Sequence, residues 1–266
     1  RLLKPPQLMR IIDPIAGLPR ITLRVRPTQY YGNPIKRQVV GSNHITYGEP
    51  SLVRLTTDAP LSYIQHETPF ALIKPLHLVF GPDEAFMGDI SSTVRDFCER
   101  TRAYWLEWVR RLSIAYEWQE ASIRAAITLK LMAFEESGGI VAALTTSLPE
   151  APHSGRNWDY RYCWLRDAYF VVKALNAIGV TETMEQYIAY ILSIAGNSDM
   201  LAPCYGIVPS DDLTEWIAPD LKGFEGHGPV RIGNAAVEQV QHDAYGSVIL
   251  AATPMFFDRR LPHPRQ

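Results

Sequence analysis

Residues 156–167, RNWDYRYCWLRD, hold three arginines, two aspartates, two tryptophans and two tyrosines within twelve positions. An arginine presents a planar fork of hydrogen-bond donors and an ionised aspartate only accepts, so the adjacent Arg166 and Asp167 suit two neighbouring hydroxyl groups. Aromatic rings cover the apolar C–H faces of a pyranose and keep a polar edge toward water. This composition predicts a sugar-binding segment. The alternative is a helix cap with a solvated ion pair, which contributes little energy.

These residues stand at a loop-to-helix transition. Residues 164–179 have helical periodicity and end at Gly179, which places Arg166 and Asp167 in the first turn, where the helix dipole favours a carboxylate. Apolar periodicity predicts further helices over 91–117, 118–136, 181–196 and 234–253. Before about residue 85, alternating patterns bounded by turn residues predict strands at 17–27, 42–48, 51–58, 61–65 and 70–80. The long connections at 140–157 and 197–231 indicate loops that carry function.

The overall composition excludes several classes of protein. The 266 residues are 47% hydrophobic with a net charge of −2, so they can form a sizeable core, and no basic block suggests nucleic acid. A neutral small molecule is therefore the expected partner. Three separated cysteines favour a reducing, cytoplasmic compartment, and no apolar stretch reaches the roughly 18 residues of a transmembrane helix. The seven histidines lack paired ligand spacing, so neither a metal nor another cofactor is expected.

Two blocks of sequence carry a family resemblance. The segment TTSLPE followed by RNWDYRYCWLRDA, and the later PVRIGNAAVEQVQHDAYG, resemble glycoside hydrolase family 15 in its bacterial glucoamylase- and trehalase-like branch. The resemblance covers roughly residues 93–253. It implies a multi-domain β + α fold: the end of a β-sandwich at 1–90, a linker helix at 91–117, and the N-terminal part of an (α/α)6 toroid at 118–266. It also implies inverting, exo-acting release of glucose from α-glucosides such as maltodextrin or trehalose.

The resemblance assigns candidate substrate-binding residues. Trp164, Arg166 and Asp167 match the Trp-x-Arg-Asp stretch with which the family binds the terminal glucose. Tyr160 matches an aromatic residue near the same subsite. Arg231 matches a loop-to-helix entry beside the pocket, and its alternative interpretation is a structural ion pair.

The family's two catalytic carboxyl groups have no match in this chain. Inverting hydrolysis uses a general acid and a general base about 6.5–9.5 Å apart. The resemblance implies two glutamates C-terminal to Gln266, and none of Asp159, Asp220 and Glu225 matches them. The chain is therefore expected to be a C-terminally truncated, inactive fragment. The alternative is a non-catalytic carbohydrate-binding remnant.

Further expectations concern residues outside the candidate site. His242 and Asp243 are interpreted as an exposed pair, and Phe224 as packing rather than an aglycone contact. Helix packing is expected for Val240, Tyr245 and Ile249. An unclosed helical ring would expose apolar residues and promote self-association. The residues expected on those exposed faces are Val171, Val172, Leu175, Ile178, Ile188, Ile191 and Leu192.

Overall fold

The computed structural model describes residues 6–49, 52–85, 88–195, 200–209 and 212–260. The chain divides into two compact units, Arg1–Trp108 and Val109–Gln266. Strands dominate the first unit and helices the second, so the predicted mixed β + α composition is confirmed. The β-sandwich, the toroid and the domain boundaries stay predictions. Within the described residues, no helix is long and apolar enough to cross a membrane.

A five-stranded antiparallel sheet, in the order β1-β9-β7-β6-β5, forms the centre of the first unit. Two short strand pairs, β2-β8 and β3-β4, accompany it. Period-two alternation turns Ile45, Tyr47 and Leu55 toward one buried core. The strands of this unit are β1 (Leu8–Ile12), β2 (Arg20–Ile21), β3 (Thr28–Gln29), β4 (Asn33–Pro34), β5 (Gln38–Val40), β6 (His44–Tyr47), β7 (Val53–Thr57), β8 (Phe70–Ala71) and β9 (Leu76–Gly81).

Two strand predictions in this unit are wrong. Residues 61–65 form a short helix, α1 (Leu61–Gln65), because the carbonyl of Pro60 accepts the backbone N–H groups of Tyr63 and Ile64 locally. The strand predicted over 17–27 is reduced to β2. Beyond it, Leu23 and Val25 still pack against the core, and the exposed Arg26 donates two hydrogen bonds of 2.6 Å to the carboxylate of Glu67. The sequence patterns also missed β1, which pairs with β9 along its whole length.

A buried histidine connects the sheet to the next helix, α2 (Ile90–Arg110). His77 Nδ1 lies 2.8 Å from Asp58 Oδ2, and its Nε2 lies 3.4 Å from Ser91 Oγ. Asp89 caps the start of this helix, because its carboxylate accepts the N–H of Ser92 at 2.7 Å. That hydrogen bond is the main cause of the lowered pKa of Asp89. The predicted helix over 91–117 ends at Arg110. Beyond Arg110 the backbone is no longer helical, and the N–H of Ser113 donates to the carbonyl of Ile178 rather than to a carbonyl of α2.

In its described residues, the second unit consists of helices and three short two-stranded sheets. The helices are α3 (Gln119–Met132), α4 (Leu165–Ala177), α5 (Glu182–Ala195), α6 (Asp243–Ala252) and α7 (Pro254–Phe257). The paired strands are β10 (Thr146–Pro149) with β11 (Asn157–Asp159), β12 (Cys163–Trp164) with β13 (Cys204–Tyr205), and β14 (Trp216–Ile217) with β15 (Arg231–Ile232). The long connections predicted at 140–157 and 197–231 therefore contain β10, β13 and β14 and the first residues of β11 and β15; residues 197–199 and 210–211 lie outside the described residues.

The last predicted helix begins nine residues later than expected. Asn234 caps a short 3-10 turn (Ala235–Glu238) by accepting the N–H of Ala236 at 2.9 Å, and Gln239 then takes an extended conformation. The helix restarts only at Asp243, as α6. Ala236 and Val237 of this turn pack against the buried cluster of Trp164, Cys204 and Leu213.

Helices α4, α5 and α6 pack around one core, which corrects two expectations. Val172, Leu175, Ile188 and Ile191 are buried rather than exposed, because the neighbouring helices already cover them. Leu192 is 60% exposed, as expected. Conversely, the helix-packing interpretation is wrong for Val240 and Ile249, which are 59% and 66% exposed. Tyr245 is 36% exposed, and its hydroxyl accepts the N–H of Leu201 at 3.1 Å.

Candidate functional site

The two sequence blocks lie against each other in the second unit. Asn157 is fully buried in β11 and donates its Nδ2 to the carbonyls of His227 at 2.9 Å and Pro229 at 3.0 Å. In return, Asn234 donates its side-chain amide to the carbonyl of Asp159 at 3.0 Å. These bonds are expected of buried polar groups, and they fix the later block to the segment that precedes α4.

A glycine in the later block allows a close approach to the backbone of residues 213–214. Gly233 has a positive φ of 80°, and a Cβ atom there would lie 2.3 Å from the carbonyl oxygen of Thr214. Its N–H donates to the hydroxyl of Tyr162 in the earlier block at 3.1 Å. A residue with a side chain at this position would clash with the backbone of Thr214.

Asp159 has a structural environment rather than a catalytic one. Its side chain is 0% exposed, and Arg161 donates to it through Nε at 2.8 Å and Nη2 at 2.7 Å. The backbone N–H of Arg161 adds a third bond at 3.2 Å. The carboxylate of Asp159 is therefore hydrogen-bonded to Arg161 and inaccessible to a substrate.

The α4 cluster, defined as Tyr160, Trp164, Arg166 and Asp167, lies at the start of α4. Trp164 occupies the N-cap position in an extended conformation, and its ring centroid lies 5.7 Å from that of Tyr160. Arg166 and Asp167 stand in the first helical turn, as predicted, with half-exposed side chains. Burial raises the pKa of Tyr160, and the nearby carboxylates of Glu150 and Asp167 add to that increase.

A third charged residue belongs to this arrangement. Arg166 Nη1 donates to Asp243 Oδ2 at 2.6 Å, and its Nε lies 3.7 Å from Asp167 Oδ2. Asp243 is the first residue of α6, so the guanidinium bridges two helix N-termini. His242 and Asp243 are both exposed, as expected, and Asp243 forms an ion pair with Arg166. The partners are 77 positions apart, and no local pattern indicates such a pairing.

Arg231 makes its contacts in a separate network. It lies in β15 rather than at a helix entry, which corrects the expectation for this segment. Its Nη1 donates to Glu215 at 3.1 Å, and its guanidinium carbon lies 5.0 Å from the ring centroid of Trp158. Trp158 in turn donates to Glu150 at 3.1 Å. These contacts supply the ion pair of the alternative interpretation, and a role for Arg231 in sugar binding stays a prediction.

The remaining candidates lie on the surface. Asp220 and Glu225 are exposed, and Glu225 has a positive φ of 50°. Phe224 is also exposed, so its interpretation as a packing residue is wrong. Within the part of the chain that the structure describes, no three His, Cys, Asp or Glu side chains are placed to hold a metal ion.

Comparison with known proteins defines the class to which this arrangement belongs. A family model described as Glycosyl hydrolases family 15 matches residues 118–262, which contain both sequence blocks and the α4 cluster. The chain belongs to this family. No solved structure gives a significant match.

The chain is also similar to curated trehalases. The chain is 39% identical over 157 residues to a trehalase of Thermoplasma volcanium, covering 59% of this chain and 25% of the relative. It is 36% identical over 155 residues to a trehalase of Mycobacterium tuberculosis, covering 56% and 23% respectively. Trehalase 1 of Sulfolobus acidocaldarius is 31% identical over 194 residues, or 69% of this chain and 34% of the relative. The chain thus spans about a quarter to a third of the length of these curated relatives.

Proposed function

We propose that this chain is part of a glycoside hydrolase that releases glucose from α-glucosides by an inverting, exo-acting mechanism. The α4 cluster carries the proposal. Arg166 and Asp167 stand side by side, half-exposed, and offer a donor fork and an acceptor to neighbouring hydroxyl groups. Tyr160, which is 38% exposed, places aromatic surface beside them for the C–H face of a pyranose, and the buried Trp164 packs with Cys204 and Leu213 and contacts the ring of Tyr160. This combination matches the terminal-glucose subsite that the sequence resemblance implies.

Trehalose is the proposed substrate, with maltose and maltodextrins as the alternative. The relatives from Thermoplasma, Mycobacterium and Sulfolobus are all named trehalases, which supports this choice. A non-reducing disaccharide of two glucose units presents the same hydroxyl pattern at either end. The α4 cluster would therefore accept trehalose in either orientation.

The finer architecture is part of the same proposal. We assign residues 1–90 to the end of a β-sandwich, 91–117 to a linker helix and 118–266 to the first part of an (α/α)6 toroid. We also propose that the protein is cytoplasmic and self-associates, and that it functions without a cofactor or nucleic acid. Helix packing of α4, α5 and α6 around a common core supports the toroid assignment.

Residues 1–266 alone are proposed to bind sugar without hydrolysing it. Inverting hydrolysis requires two carboxyl groups facing each other across the glycosidic bond. Asp159 is sequestered by Arg161, while Asp220 and Glu225 lie on the exposed surface of a loop. None of the three has the enclosed position of a general acid. A purely carbohydrate-binding role for this polypeptide is the second candidate function.

An assay of the purified chain tests both the proposed sugar binding and the proposed lack of hydrolysis. We expect no glucose release from trehalose, maltose or maltodextrin, and saturable binding of trehalose in calorimetric titration. Glucose release that Glu225→Gln abolishes would contradict the proposed inactivity and make Glu225 an acid. Absence of binding to all three sugars would contradict the assignment of the α4 cluster.

A further inference from the structure

The charges around Arg166 are unevenly distributed. The guanidinium faces Asp243 directly, with a hydrogen bond of 2.6 Å from Nη1, but stands 3.7 Å from Asp167, its neighbour in sequence. All three side chains are about half exposed, so each is open to solvent on one side. The carboxylate of Asp243 therefore accepts a hydrogen bond from the guanidinium, whereas that of Asp167 lies near the guanidinium without one.

The neighbouring carboxylates determine which hydrogen-bonding groups remain for a ligand. Side chains at adjacent positions of a helix do not face each other, so Asp167 does not hold the guanidinium of Arg166 in one orientation. The bond to Asp243 uses one of the five guanidinium N–H donors, while Nε lies 3.7 Å from Asp167. The remaining donors of Arg166 and the oxygens of Asp167 are then both available to a sugar.

We propose that Asp243 is a positioning residue, which fixes the guanidinium of Arg166 beside Asp167 so that Arg166 and Asp167 can both bind the hydroxyl groups of a terminal glucose. The inference rests on the proposed function of the α4 cluster. Asp243 itself does not contact the sugar. The junction of α4 and α6 fixes its position, because Asp243 is the first residue of α6 and Arg166 the second of α4.

The first test observes the arginine directly and needs no sugar. In the ¹H–¹⁵N spectrum of the full 266-residue chain, the Nε–H signal of Arg166 is identified as the one that Arg166→Lys removes. Asp243→Asn should shift this signal, and Asp243→Glu should restore it toward its original position. Glu185→Gln removes an exposed carboxylate on α5 and serves as the control. An Arg166 signal that Asp243→Asn leaves unchanged would overturn the inference.

The second test separates positioning from direct contact. Asp243→Asn should weaken trehalose binding about two- to five-fold, the value of an exposed ion pair, and Asp243→Glu should recover the loss. In an Arg166→Ala background, Asp243→Asn should cause no further loss. An equal loss in both backgrounds would show that Asp243 contacts the sugar and would overturn positioning. If the wild-type chain binds no sugar, the proposed function fails, and the Arg166 signal still decides whether Asp243 holds the arginine.

Discussion

Replacing Asp159 by asparagine tests the structural account of the segment beneath the α4 cluster. The buried carboxylate holds Arg161 through two side-chain bonds of 2.7–2.8 Å, while the arginine itself stays 31% exposed. Breaking a buried ion pair costs roughly 3–5 kcal/mol, and partial exposure of the arginine lowers this to about 2–3 kcal/mol. Asp159→Asn should therefore reduce the free energy of unfolding by about 2–3 kcal/mol.

The assay is urea-induced unfolding monitored by tryptophan fluorescence. The free energies of unfolding of the variants are compared on the condition that their m-values are equal. Glu150→Gln, which breaks the exposed pair with Arg156, is the matched control and should change stability little. The double variant Asp159→Leu/Arg161→Met should be more stable than Asp159→Leu alone, because no unpaired charge remains. A change below about 0.5 kcal/mol for Asp159→Asn would refute the reasoning, since that is the range of ordinary surface substitutions.

Three further predictions concern the second unit. Leu175→Ala should cost about 2–5 kcal/mol because Leu175 is fully buried, while Leu192→Ala should stay within about 0.5 kcal/mol; equal losses in urea unfolding would contradict the described core. Burial raises the pKa of Cys163 to about 11 and that of Cys204 to about 12. At pH 8 a thiol reagent should therefore modify only Cys98 in the native chain and all three cysteines in guanidinium. Fast reaction of more than one thiol in the native chain would refute this. Hydrogen bonds from Arg260 lower the pKa of Asp258 to about 2. The stabilising contribution of the ionised Asp258 is therefore present above its unfolded pKa of about 3.9 and is lost as the pH falls through about 2. The difference in urea midpoint between Asp258→Asn and wild type should disappear over that interval, and a difference that persists at about pH 1.5 would contradict this.

Local periodicity predicted the position of the α4 cluster. The apolar repeat of 164–179 and the terminating Gly179 were sufficient to place Arg166 and Asp167 in the first turn of a helix, which is where they lie. Such patterns work when the same neighbours in sequence also make the decisive contacts. The family resemblance was likewise carried by contiguous residues.

Contacts between distant segments explain the failures. The NAAVE stretch has helical composition, yet the side chain of Asn234 caps a short turn and reaches back to Asp159, 75 positions away. The pairings of Arg166 with Asp243 and of Arg231 with Glu215 depend on the same folding of one block against the other. No pattern within a single segment contains that information. The partners of both site arginines were therefore missed.

The central claim, that the α4 cluster binds a terminal glucose, is tested most directly by calorimetric titration of trehalose into wild type and Asp167→Asn. A hydrogen bond to a charged acceptor is worth about 1.5–3 kcal/mol, so the substitution should weaken binding roughly 10- to 150-fold. Asp167 lies beyond the N-cap, which Trp164 occupies, so the substitution leaves the helix start in place. Equal affinity of the two proteins for trehalose would contradict the account and leave Asp167 as a charge that serves only its helix.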